Sequence, residues 1–167
     1  MDVPFTQGDI RTIALPQGYF DVCACISTLE HVGFDEASDD PNTAFKRGKT
    51  RDEAPAFRSP DTDSKVMSQF ARALKPGGVA IVTVPVGKGG PVLLQDSKGL
   101  FSRQWEFDEP SLAGLKRADD FVCIDERYFR ETPAGWIQVD GPRDLQDVSS
   151  AERRHAAGCG LLAFRRK

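Results

Sequence analysis

The chain has 167 residues, 40% of them hydrophobic and 28% charged, with a formal net charge of −3 and an isoelectric point near 5.4. That length and balance fit one globular domain over residues 1–167 with a core of its own, and exclude a chain disordered by composition. The acidic balance argues against nucleic acid or an anionic membrane as the main partner, because both need a positive surface.

The basic residues Arg153, Arg154, Arg165, Arg166 and Lys167 read as a small solvated end. Met1 to Gly8 has neither the basic start nor the apolar core of an export signal, and no later apolar run has the length of a membrane span, so a reducing cytoplasm is expected. Cys23, Cys25, Cys123 and Cys159 lack paired C-x-x-C spacing, and three lie in apolar runs. They are expected as core thiols, and no ligand cluster implies a metal.

In chain order, Val3 to Phe5 is a candidate short strand ahead of Gly8-Asp9-Ile10. In the run from Val22 to Ile26 both alternating faces are apolar or small, which predicts a strand covered on both sides in a parallel sheet. Residues 34–60 are rich in charge and breakers, and predict a polar surface insertion that does not pack. From Asp61 to Leu74 the residues Val66, Met67, Phe70, Ala71 and Leu74 form one helical stripe, with Asp61, Thr62 or Asp63 to cap it and Pro76-Gly77-Gly78 to end it.

Val79 to Gly87 predicts a second strand, which makes a right-handed strand-helix-strand unit. Asp108 and Pro110 open a short helix carrying Leu112 and Leu115. Phe121 to Phe129 and Gly158 to Phe164 predict two further strands, with a turn-rich stretch between them in which Trp136 has no assigned place. The order of elements predicts an α/β fold, mostly parallel, with an antiparallel C-terminal strand.

In such sheets ligands collect beyond the carboxyl ends of the strands. Ser27 to Gly33, Pro85 to Gly90 and Gly8-Asp9-Ile10 are the loops expected there, which explains why an apolar strand delivers Glu30 and His31 from its end. "GDIRTIALPQGYFDVCACISTLEHVG", "MSQFARALKPGGVAIVTVPVG" and "RQWEFDEPSL" occur in that order from Gly8 to about Leu115. This series resembles the class I S-adenosylmethionine-dependent methyltransferases, of the small-molecule and sugar-pathway type with a V-P-x-G-K loop.

The resemblance implies a Rossmann-like fold and S-adenosylmethionine as cofactor. It implies that Asp9 and Ile10 hold the adenine, that Ser27, Thr28 and Leu29 flank the methionine part, and that Glu30 and His31 face the acceptor. His31 is the candidate proton acceptor, since an imidazole titrates nearest neutrality. The Val84 to Lys88 loop lines the site, and Arg103 with Trp105 forms a pairing suited to a sugar or carboxylate acceptor.

One departure stands out. The family's glycine-rich first motif lies upstream of the adenine-contacting acid, yet only eight residues precede Asp9 and no G-x-G-x-G occurs elsewhere. The expectation is therefore a partial fold, without the family's N-terminal strands, and an exposed edge at the Phe20 to Ile26 strand open to self-association or to an N-terminal partner segment. The expected function is methyl transfer to a small molecule, needing that missing half; the rival is a non-catalytic remnant serving as an interaction module. A nicotinamide enzyme needs the same absent loop, and a nucleic-acid base methyltransferase usually has P-P-[YFW] where Ser27-Thr28-Leu29-Glu30 stands.

Overall fold

A computed structural model of the chain describes residues 5–34, 58–95, 101–151 and 153–167. Its elements are β1 (Phe20–Ile26), α1 (Thr62–Ala73), β2 (Leu74–Pro85), β3 (Gly90–Gln95), β4 (Phe101–Glu106), α2 (Glu109–Lys116), β5 (Phe121–Thr132), β6 (Gly135–Val139) and β7 (Gly158–Arg166), with a 3-10 turn at Pro142–Leu145. One sheet has the order β1-β2-β7-β5-β6, and β3 and β4 form a separate hairpin. A parallel bridge from Val86 to Phe107 fastens the end of that hairpin beside the end of β2. Among the described residues no helix is long and apolar enough to cross a membrane.

The α/β class holds and the C-terminal strand β7 is antiparallel as expected, but the rest of the sheet is not mostly parallel. Among the described strands of this sheet only β1 and β2 pair in parallel; β7 runs antiparallel to both β2 and β5, and β6 runs antiparallel to β5. Alternation of apolar residues reports a strand's faces and not its direction, and β5 and β6 are joined by too short a turn for a parallel crossover.

Helix α1 forms where the apolar stripe predicts it, and buries Val66, Met67, Phe70 and Ala71. Asp61 holds the N-cap position without a side-chain cap bond; its carboxylate pairs with Lys65 at 2.7 Å instead. The helix ends at Ala73 and runs straight into β2, so Pro76-Gly77-Gly78, expected to end the helix, lie inside the strand instead, with Gly77 in the left-handed region at φ 78°. In α2 the Asp108 side chain accepts from the Ser111 N–H at 2.9 Å and Pro110 occupies the first turn, as the sequence predicts.

Registers place Ala80, Val82 and Val84 of β2 on one face with Leu162 and Phe164 of β7. These residues are buried with the stripes of α1 and α2 in a single core. The opposite face carries Val22, Ala24 and Ile26 of β1 beside Val79, Ile81 and Thr83 of β2. Coverage of both faces, expected from composition, is not found: Val22 is 55% exposed and Ile26 56%, whereas Val82 and Leu162 are at 0%. The reason is that both described α-helices pack on the Val82 side.

Of the expected strand at Val3 to Phe5, all but Phe5 lies outside the described residues, and Phe5 is exposed and not in a strand. Most of the 34–60 segment, 35–57, also lies outside them. Its two ends depart from the expectation that it does not pack, since Phe34 and Arg58 are both buried. Cys25 is buried and the other three cysteines are half-buried, all as free thiols; burial pushes the Cys25 thiol up to about 11, which leaves it a packing residue.

Phe164 lies edge-on to Phe121 with ring centroids 6.0 Å apart in the middle of that core. Phe164→Ala is expected to lower unfolding free energy by about 3–5 kcal/mol in urea titration, and Ile26→Ala on the bare face by less than about 1. Equal losses would contradict the one-sided core.

Candidate functional site

Because β1 and β2 are parallel, their carboxyl ends and the loops that follow, 27–34 and 85–88, lie side by side. Ser27 leaves β1 in the left-handed region, at φ 47°. Its N–H donates to Thr83 Oγ1 of β2 at 2.9 Å, and its hydroxyl donates to Glu30 Oε1 at 2.8 Å. Thr28 Oγ1 donates back to the Ile26 carbonyl at 2.9 Å. Tight turns follow, with His31, Val32 and Phe34 N–H groups bonded to Thr28, Leu29 and His31 carbonyls.

The loop points Leu29 and Phe34 into the core and buries Glu30, which is 2% exposed. Glu30 Oε2 has no hydrogen-bond partner among the described residues. Burial pushes the Glu30 carboxyl up, an effect only partly opposed by its hydrogen bonds and by His31 and Arg58 nearby. Strand β4 is tied to the loop twice: the Trp105 N–H donates to the Glu30 carbonyl at 2.8 Å, and His31 Nδ1 sits 3.1 Å from the Arg103 carbonyl. A carbonyl only accepts, so Nδ1 carries the hydrogen, and in the neutral imidazole Nε2 is the acceptor nitrogen.

Arg58 organises this region and was not legible in the sequence. Its Nε donates to the Val32 carbonyl and its Nη2 to the Leu29 carbonyl, both at 2.8 Å. The same guanidinium meets Asp63 of α1 at 2.6 Å and lies 5.8 Å from the ring centre of Trp105 and 5.9 Å from that of Phe107. An arginine in a charged, breaker-rich stretch reads as solvated; only the fold reveals its partners.

Glu106 was missed for the same reason. It is fully buried, and its two oxygens accept the Lys88 N–H at 3.1 Å and the Ser150 N–H at 2.8 Å. A Cβ on Gly87 would lie 2.6 Å from Glu106 Oε1 and 2.5 Å from the Val148 carbonyl oxygen. The glycine in V-P-V-G-K is therefore required by a close approach rather than by a ligand. Lys88 enters the site's frame through its backbone N–H.

Asp9 is exposed and its carboxylate is already engaged. Arg11 grips it from Nε and Nη2 at 2.9 and 2.7 Å, and the Arg11 N–H adds a bond at 2.9 Å. The arginine holds the Asp9 carboxyl below its usual range. This turn adjoins the 27–34 loop, since a Cβ on Gly33 would sit 3.6 Å from Arg11 Nη1. Ile10 packs against the core.

The fold thus brings Ser27, Thr28, Leu29, Glu30, His31, Arg103 and Trp105 together, sets the Asp9-Ile10 turn beside them, and keeps Lys88 one loop away. Leu29 offers nothing but backbone, with its side chain in the core. A cavity of about 760 Å³ lies between α1 and α2, walled by Arg58, Met67, Trp105, Leu115 and Phe121, and so shares Arg58 and Trp105 with the loop region. Of the sequence-predicted site residues only Trp105 lines it. Among the described residues no group of three or more His, Cys, Asp or Glu side chains is arranged to hold a metal ion.

No protein-family model matches the sequence, and no curated protein matches it. Solved structures do match in fold. A SAM-dependent methyltransferase from Methanosarcina mazei superposes with a TM-score of 0.58 at 14% identity, over 95% of this chain and 65% of that one. The PH0226 protein from Pyrococcus horikoshii gives 0.52 at 14% identity, over 99% of this chain and 60% of the other. The chain therefore has the α/β, mixed-sheet fold of a SAM-dependent methyltransferase, and it spans 65% and 60% of the lengths of these two proteins.

The raised Glu30 carboxyl has a definite consequence for stability. A carboxyl whose folded pKa exceeds its unfolded value, about 4.3, favours the fold below that value and loses the contribution as pH rises through the folded pKa. Glu30→Gln, which keeps an acceptor for the Ser27 hydroxyl, is expected to stabilise the chain at pH 7–8 and to be near neutral at about pH 4. Thermal unfolding across pH checks this; a variant less stable at pH 8 than at pH 4, relative to the parent, would contradict it.

Proposed function

We propose that this chain takes part in S-adenosylmethionine-dependent methyl transfer to an oxygen or nitrogen of a small acceptor, at the carboxyl ends of β1 and β2. The observation that carries the reading is a loop at the end of the parallel β1-β2 pair that holds an orphaned buried carboxyl oxygen, on Glu30, beside the imidazole of His31. The fold supports the same class of chemistry.

The residues present fit the cofactor in part. Glu30 Oε2, buried and unpartnered, is the acceptor that a cationic ligand would satisfy. The Ser27-Thr28 backbone would flank the methionine part, and the Asp9-Ile10 turn would meet the adenine, with Asp9 exchanging part of its Arg11 grip for the ring amine. S-adenosylmethionine supplies, when bound, a methyl group on a positively charged sulfur. His31, its ring fixed by the Arg103 carbonyl, takes the acceptor's proton at Nε2. Trp105 offers the acceptor a flat apolar wall, in keeping with a sugar-related small molecule. No G-x-G-x-G loop occurs in the 167 residues, and the residues named here supply only some of the contacts a cofactor makes.

Calorimetric titration of the chain with S-adenosylhomocysteine tests the reading. Weak binding near 0.1 mM, loosened about tenfold by Asp9→Ala, is expected from a site that keeps only some of its contacts. A folded chain that evolves no heat at millimolar ligand would overturn it in favour of an interaction module.

A further inference from the structure

The cavity between α1 and α2 is lined by none of Ser27 to His31, and touches the loop region through Phe34, Arg58 and Trp105. It measures about 760 Å³, within the roughly 300–1,000 Å³ that small-molecule sites occupy. Its interior is apolar, made by Met67 of α1, Leu115 of α2 and Phe121 at the start of β5, each held by the core behind it.

Gly114 keeps part of that space open. It lines the cavity from within α2, where glycine is disfavoured relative to alanine because of its backbone freedom. No positive φ calls for it, and a Cβ there would meet nothing within 4 Å. Neither backbone conformation nor a close neighbour accounts for the glycine, whereas a bound molecule approaching the backbone of α2 does.

The polar groups around the cavity set the chemistry of that molecule. The hydroxyl hydrogens of the lining residues Ser59, Ser64 and Ser111 go to the Asp61 carboxylate, the Asp61 carbonyl and the Asp108 carboxylate, so these serines have only acceptor lone pairs left to offer. Arg58 is spent on Asp63 and on the Leu29 and Val32 carbonyls. At the end where β5 begins, the lining residues Asp119 and Asp120 are exposed. Lys167 Nζ donates there to the Asp119 carbonyl at 2.7 Å, and Lys116 pairs with Glu126 at 2.7 Å. Arg117 is the cation that lines this end, so acceptors outnumber donors around an apolar interior.

We propose that the cavity binds a small apolar molecule carrying a protonated amine, its body against Met67, Leu115 and Phe121 and its N–H donors on the Asp119 and Asp120 carboxylates. The inference rests on the cavity and not on methyl transfer, so either can fail without the other.

Calorimetric titration of the chain with 1-naphthylmethylamine, 1-naphthylmethanol and 1-naphthoate tests the proposal, because these probes share a ring system and differ in charge. One-to-one binding is expected, about tenfold tighter for the amine than for the alcohol and weakest for the carboxylate. Asp119→Asn combined with Asp120→Asn should remove the amine's advantage and leave the alcohol unchanged. Gly114→Leu, which puts a better helix former in α2, and Ala118→Trp both fill the cavity. Each should loosen the amine by about tenfold or more in a chain that keeps its near-ultraviolet circular dichroism. Ile26→Asp, on the opposite face of the sheet, should change nothing. Alcohol or carboxylate bound as tightly as the amine, unchanged affinity in a folded cavity-filled variant, loss in Ile26→Asp, or no heat at millimolar amine from a folded chain would each overturn the proposal.

Discussion

The buried Arg58 guanidinium is the constraint on which the rest of the site depends. A buried cation left without partners costs several kcal/mol, so the Leu29 and Val32 carbonyls and the Asp63 carboxylate must stay where they satisfy it. That requirement fixes the loop after β1 from outside the loop. It also links three elements distant in sequence: the turn at 27–34, the first turn of α1, and the Trp105 and Phe107 rings beyond which the guanidinium lies. Gly33, at φ 89°, is shaped by the same residue, since a Cβ there would sit 3.2 Å from Arg58 Cγ.

With the loop so held, the end of β1 buries a carboxyl that is only half partnered. Ser27 satisfies one oxygen of Glu30 and leaves the other without a partner, while β4 fixes the His31 ring through a backbone carbonyl. One loop over, Glu106 meets two backbone N–H groups, at Lys88 and Ser150, and so holds the loop after β2 against the segment before β7. The two buried carboxyls play different parts. Glu106 is fully engaged in holding backbone, and Glu30 retains an acceptor for something else.

How much of this the sequence disclosed follows from which forces leave a local trace. The stripe of α1, the caps around Asp108 and the β-branched run of β2 are periodic or punctuated, and all three appear where expected. The β3-β4 hairpin and β6 escaped because "GPVLLQ", "FSRQWE" and "GWIQV" mix polar and apolar residues without clean alternation. Strand direction leaves little local trace, so the antiparallel C-terminal β7 was expected and the extent of antiparallel pairing through β5 and β6 was not. Arg58 and Glu106 look like solvated charges in a line of text, and several of their partners are backbone groups that no composition can show. Asp9 was visible as a turn residue, but its grip by Arg11 two positions on was not.

The central claim is that the ends of β1 and β2, held by Arg58, form a ligand site on this methyltransferase-like fold. Hydrogen exchange of the chain with and without saturating S-adenosylhomocysteine, read peptide by peptide, tests it most directly. The account predicts slower exchange over 27–34 and 9–13 with the ligand, and none of that slowing in an Arg58→Met chain that remains folded. Unchanged exchange in those peptides, or slowing confined to α1 and α2 around the cavity between them, would contradict it.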